Sequence, residues 1–140
     1  MEPMTIREIM DAVGGKLLGE FGDINRMVGR VETDSRTIHA GSLFVPLVGE
    51  RFDGHAYINA ALEGGAAGCF TQRERESYLP GKFYIKVDST QRALRDLAKY
   101  YKKKFPIPVV ALTGSVNSRR SIQDYKITVP PIAFYIVKLG

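Results

Sequence analysis

The chain has 140 residues, a net charge of +5, one cysteine and an apolar share of 44%. That length fits one domain with at most a fragment of a second, and the composition excludes disordered, collagen-like and disulfide-stapled classes. No stretch approaches the roughly 20 apolar residues of a spanning helix. Met1-Glu2-Pro3-Met4 lacks the basic region of a signal peptide, so a cytoplasmic protein without a membrane partner is expected.

Thr5-Ile6-Arg7-Glu8 has the form of a capping box, and Ile6, Ile9, Met10 and Val13 make a helical stripe that Gly14-Gly15 ends. Residues 16–19 read as a short strand, and residues 26–33 alternate well enough for a strand with one wet face. Asp34-Ser35-Arg36-Thr37 follows as a polar loop. Residues 42–48 are a mostly apolar strand whose Pro46 points to an edge or a bulge. The loop Gly49-Glu50-Arg51-Phe52-Asp53-Gly54 leads to a helix over about residues 55–63, with Tyr57, Ile58, Ala61 and Leu62 on one side.

Residues 67–71 form a short buried strand containing Cys69, a structural thiol with no internal partner. Residues 72–81 are a loop and residues 83–87 another strand. Asp88 or Ser89 caps a long helix to about Lys104, with Leu94, Leu97, Ala98 and Tyr101 as its stripe. Pro106 and Pro108 break it before a strand at 109–112. Strand–helix–strand occurs twice, at 42–71 and 83–113, which favours parallel pairing. The expected class is α/β, a mixed, partly parallel sheet with helices on its faces.

Two polar loops after strands carry more chemistry than a turn requires. Thr33-Asp34-Ser35-Arg36 supplies two hydroxyls, a carboxylate and a guanidinium; Gly49-Glu50-Arg51-Phe52-Asp53-Gly54-His55 supplies an arginine, an aromatic ring and two acids. Arginine offers a planar fork to phosphate oxygens, a ring such as Phe52 can stack on a base, and backbone amides can read a uracil edge. The same residues also suit an Asx turn with a surface ion pair and a connection capped by Asp53. His39 and His55 have no Cys or acid at a metal-ligand spacing, and no nucleophile elbow appears, so neither a metal site nor a catalytic set is assigned. Lys99, Lys102, Lys103 and Lys104 leave a basic nucleic-acid-binding module as an alternative; cations in a last helical turn also simply complement the helix dipole.

At these loops the sequence resembles the Mur ligases. The resemblance runs through Thr33-Asp34-Ser35-Arg36-Thr37-Ile38, Gly41-Ser42-Leu43-Phe44-Val45-Pro46-Leu47 and Gly49-Glu50-Arg51-Phe52-Asp53-Gly54-His55, and covers about residues 4–116. The second loop is most similar to the branch that adds D-alanyl-D-alanine to UDP-N-acetylmuramoyl-tripeptide in peptidoglycan synthesis. The branch that adds the third peptide residue shares the Asp-Ser-Arg and Asp-Gly elements.

The resemblance implies an N-terminal domain at 1–107 that holds the UDP end of a UDP-N-acetylmuramoyl-peptide. Thr33 and Ser35 would approach the uracil and ribose by backbone and hydroxyl, with Asp34 and Arg36 in the same UDP-binding loop, Arg36 as much structural as ligating. In the second UDP-binding loop, from Gly49 to Asp53, Glu50, Arg51 and Phe52 would meet the nucleotide and its phosphates, with Asp53 ordering the loop. It also implies ATP-dependent amide formation, with magnesium, in a central and a C-terminal domain, so the first domain alone would not catalyse ligation and would need no cofactor of its own.

Residues 108–116 resemble the first strand and the start of the phosphate loop of that central domain. Thr113, Gly114 and Ser115 begin the loop, but Asn117 and Ser118 stand where the family has Gly and Lys. Without that lysine the loop loses its point charge for β- and γ-phosphates. Residues 117–140 therefore read as a foreign or out-of-register tail on a truncated ATPase domain.

Overall fold

The computed structural model describes residues 2–105. In chain order it contains β1 (Met4–Thr5), α1 (Ile6–Val13), β2 (Lys16–Leu18), β3 (Met27–Val28), β4 (Val31–Glu32), β5 (Leu43–Phe44), α2 (Ile58–Glu63), β6 (Gly68–Thr71), β7 (Phe83–Lys86) and α3 (Thr90–Lys104). The expected strand at 109–112, the start of the phosphate loop and the segment 117–140 lie outside the described residues.

The main sheet has the order β2-β7-β6-β5-β4. β4, β5, β6 and β7 run parallel, and β2 closes the sheet antiparallel to β7. The sheet is mixed and the class is α/β. Alternation along the strands sorts their side chains to two faces. Leu43, Phe70, Phe83 and Ile85 pack with Ile6 and Ile9 of α1 and with Leu94, Leu97 and Tyr101 of α3. Phe44, Cys69 and Tyr84 pack on the other face with Ile58, Ala61 and Leu62 of α2. Strands covered on both sides read as near-continuous apolar runs, which is the pattern at 68–71 and 83–86.

α1 and α3 are joined by one carboxylate. Glu8 completes the capping box with Thr5 and also accepts from Tyr100 Oη (3.0 Å) and from Lys104 Nζ. The Lys104 ammonium, helped by the Thr5 amide and the Tyr100 hydroxyl, holds the Glu8 carboxyl at about 2. One of the four lysines at the end of α3 is thus committed inside the domain.

Three elements differ from expectation. The strand expected over 26–33 divides at Gly29-Arg30: β3 pairs antiparallel with β1 in a separate two-stranded ladder, while β4 joins the main sheet. β5 is an interior strand, not an edge, and its ladder stops before Pro46, where no amide is available to continue it. The helix expected from residue 55 begins as a 3-10 turn over Gly54–Tyr57 before α2. β6 reaches β7 through residues 72–82 without a helix. Cys69 is buried, which pushes its thiol up to about 12, outside the reactive range.

Gly68 sets the closeness of the central pair. A Cβ there would lie 2.4 Å from the Phe83 carbonyl oxygen and 2.5 Å from its ring, with backbone on one side that cannot yield. Gly68→Ala is expected to destabilise the chain by about 1–3 kcal/mol, measured by urea unfolding followed by circular dichroism; an unchanged midpoint would contradict this packing.

Candidate functional site

Parallel pairing brings the carboxyl ends of β4 and β5 to one edge of the sheet, where ligands gather in open α/β folds. A cleft of about 430 Å³ opens there, lined by Thr33, Asp34, Ser35 and Arg36 after β4, Phe44 of β5, and Phe52, Gly54 and Tyr57 of the next loop. Phe52 and Tyr57 are half-exposed and stack with ring centroids 5.8 Å apart and planes 17° from parallel.

The first loop is shaped by its acids. Asp34 caps the 3-10 turn Ser35–Thr37 by accepting from the Arg36 amide (2.9 Å), and the same carboxylate accepts from Arg36 Nε (3.0 Å) and Nη2 (2.9 Å). Those hydrogen bonds from the Arg36 guanidinium and then its amide hold the Asp34 carboxyl at about 2. Arg36 therefore offers a ligand only the rest of its guanidinium and its planar faces. Behind the turn, buried Glu32 accepts from the Arg30 side chain (3.1 Å) and from both the backbone amide (3.2 Å) and Nδ1 (2.7 Å) of His39. Glu32, at the start of the loop, thereby holds the far side of the loop through His39 and the strand's entry through Arg30.

The second loop is closed by backbone and by Asp53. The Gly49 amide donates to the Phe52 carbonyl (2.7 Å), and Val48 bridges Asp53. A Cβ on Gly54 would lie 2.9 Å from both Leu47 N and Pro46 Cα, so only glycine lets the chain cross itself here. Asp53 accepts from the His55 amide (2.9 Å), from His55 Nδ1 (2.8 Å) and from Arg73 Nη2 (2.8 Å), and these bonds, the His55 amide foremost, hold its carboxyl at about 2.

The residues expected from the sequence thus divide. Thr33, Asp34, Ser35, Arg36 and Phe52 meet at the cleft. Gly49 and Asp53 build the loop that presents Phe52, and Glu50 and Arg51 stand exposed beside it without lining the cleft. Tyr57, expected on the apolar side of a helix, faces the cleft instead. His55 and Arg73 were not expected as partners of Asp53. The spacing Asp53-x-His55 was a signal available for the first; nothing in the sequence joined Arg73 to it. Thr113, Gly114 and Ser115 lie outside the described residues.

A second cavity, of about 250 Å³, lies between the α1–β2 turn and the start of α3. Of its three cations, Lys16 and Arg92 face Glu74 and Asp88 at 3.5 Å, Lys86 is the third, and the cavity has no aromatic wall. At the far end of α3, Tyr100 and Tyr101 are engaged with Glu8 and the Glu2 amide, so neither ring is presented beside the lysines.

A profile described as Mur ligase family, catalytic domain, matches residues 28–102. UDP-N-acetylmuramoyl-tripeptide–D-alanyl-D-alanine ligase of Bacillus subtilis is 34% identical over 120 residues, covering 86% of this chain and 26% of the relative. Its counterpart in Escherichia coli is 37% identical over 124 residues, covering 89% and 26%. UDP-N-acetylmuramoyl-L-alanyl-D-glutamate–2,6-diaminopimelate ligase of Parabacteroides distasonis is 33% identical, covering 85% and 24%. Among solved structures, a crystal structure of MurF from Acinetobacter baumannii superposes with a TM-score of 0.65 at 26% identity, covering 74% of this chain and 22% of that one. The chain spans about a quarter of the length of the curated relatives it matches.

The ion pair within the first loop can be read directly. Carboxyl NMR should find Asp34 titrating at about 2, and Arg36→Ala should return it toward the ordinary carboxylate value. Since the folded-state value is lowered, the clamp stabilises the loop above the unfolded value and is lost as pH falls through the folded one. An Asp34 titration unaffected by Arg36→Ala would contradict the geometry.

Proposed function

The chain belongs to the Mur ligase family, and on that premise we propose that residues 1–107 are a ligase's first domain, which binds the UDP end of a UDP-N-acetylmuramoyl-peptide. The observation that carries this reading is the cleft itself. It sets a stacked aromatic pair opposite hydroxyls and a guanidinium, at the carboxyl edge of a parallel sheet. A planar base is held by stacking on such rings, worth about 1–3 kcal/mol per base. Hydroxyls and amides of the Thr33–Arg36 loop suit ribose and the base edge. Arg51, exposed and without an ion pair among the described residues, suits the diphosphate.

The cleft suits binding better than bond making. The acid that lines it, Asp34, and the acid that closes its second loop, Asp53, are held strongly acidic by fixed donors, which leaves these two poor proton carriers near neutrality. Although the matching profile is described as a catalytic domain, residues 28–102 contain no Gly-Lys-Ser or Gly-Lys-Thr phosphate loop.

We assign ATP- and magnesium-dependent amide formation to parts of a ligase beyond residue 107, and the work of the whole to the cytoplasm. The likeness to the tripeptide–D-alanyl-D-alanine ligases, at up to 89% of this chain, favours UDP-N-acetylmuramoyl-tripeptide as the ligand; the diaminopimelate-adding ligases are the rival.

Calorimetry of the chain with UDP tests this reading. Binding is expected, with affinity falling about tenfold in Phe52→Ala and in Tyr57→Ala, and falling also in Ser35→Ala and Arg51→Ala. A folded chain that gives no binding heat with UDP or with a UDP-muramoyl-peptide would overturn it.

A further inference from the structure

The side chain of His55 is 5% exposed, yet both ring nitrogens are engaged. Nε2 lies 2.9 Å from the Gln72 backbone nitrogen, which can only donate, so Nε2 accepts. The proton must then sit on Nδ1, which donates to Asp53 Oδ1 at 2.8 Å. One imidazole in one tautomer thus joins the loop after β5 to the segment after β6.

The connection extends on both sides. Gln72 Oε1 accepts from the backbone amide (3.0 Å) and hydroxyl (3.3 Å) of Thr90, which is fully buried at the start of α3. Asp53 Oδ2 accepts from Arg73, the residue after Gln72. His55 sits inside the 3-10 turn Gly54–Tyr57, with Phe52 three residues before it and Tyr57 two residues after. A shift of its ring therefore moves both stacked aromatics of the cleft, although neither His55 nor Gln72 lines it.

We propose that His55 is the positioning residue of the nucleotide cleft: locked between Asp53 and the Gln72 amide, it sets where Phe52 and Tyr57 stand and so sets the affinity for a uridine nucleotide. This rests on the reading of the cleft as a UDP site. A His55 that served stability alone would lower the unfolding temperature and leave the affinity of the folded protein unchanged. A positioning residue lowers affinity in a fully folded sample, because the aromatic pair no longer waits in the bound arrangement.

The test uses the full chain with UDP, at a temperature where every variant is folded by circular dichroism. In the unsubstituted chain, nitrogen NMR of labelled histidine should show His55 protonated at Nδ1 and bare at Nε2. His55→Gln, which cannot satisfy both partners at the ring's spacing, should bind UDP about tenfold more weakly. Gln72→Ala keeps the amide that donates to His55 but frees it from Thr90, and should weaken binding severalfold. If His55→Gln fails to fold, Gln72→Ala decides. UDP binding by the unsubstituted chain together with unchanged affinity in the folded variants, or an Nε2–H tautomer, would overturn the positioning role and leave the UDP reading standing. Absence of UDP binding by the unsubstituted chain would overturn both.

Discussion

Parallel pairing of β4 through β7 is the constraint from which the rest of the molecule follows. Parallel strands deliver all their carboxyl ends to one edge, and each must then be led away by a loop that crosses back. In this chain β4 and β5 are only two residues long, so their ladders supply few hydrogen bonds to hold what comes after them. The loops at that edge must be fixed by side chains instead.

The acids perform that task. Glu32 ties the ends of the first loop through His39, Asp34 caps its turn and clamps Arg36, and Asp53 closes the second loop through His55 and Arg73. Committed in this way, the carboxylates are unsuited to shuttling protons, and the surface left for a ligand is made of rings, hydroxyls and guanidinium edges. Aromatic walls with a few placed polar groups are the lining that small-molecule sites share, which is what the proposed nucleotide site requires. Binding and stability are linked here, since the hydrogen bonds that shape the cleft also lock the loops to the sheet.

How far the sequence disclosed this depended on the range of each interaction. The capping box at Thr5 and Glu8 spans three residues, and the stripe of α3 repeats over four turns, so both were visible locally. The Asp34–Arg36 and Phe52 elements stood out as two polar loops because their residue types sit together, and the structure brings them to one cleft. The division of residues 26–33 was not, because alternation continues across Gly29-Arg30 while the pairing partner changes from β1 to β5. Tyr57 was misplaced for a geometric reason: helical periodicity assumes 3.6 residues per turn, and the 3-10 turn over Gly54–Tyr57 points its last side chain elsewhere. The role of His55 depends on Gln72, 17 residues away, and Gln72 depends on Thr90, 18 residues further. No local pattern encodes such contacts.

The most direct measurement is a map of backbone amide shifts on titration with UDP. A cleft built as described would confine the large shifts to Thr33–Arg36, Phe52, Gly54 and Tyr57, with smaller ones passing through His55 to Gln72 and Thr90. Shifts gathered instead around Gly14–Lys16 and Arg92, at the cavity between the α1–β2 turn and the start of α3, would contradict the assignment of the nucleotide to this cleft.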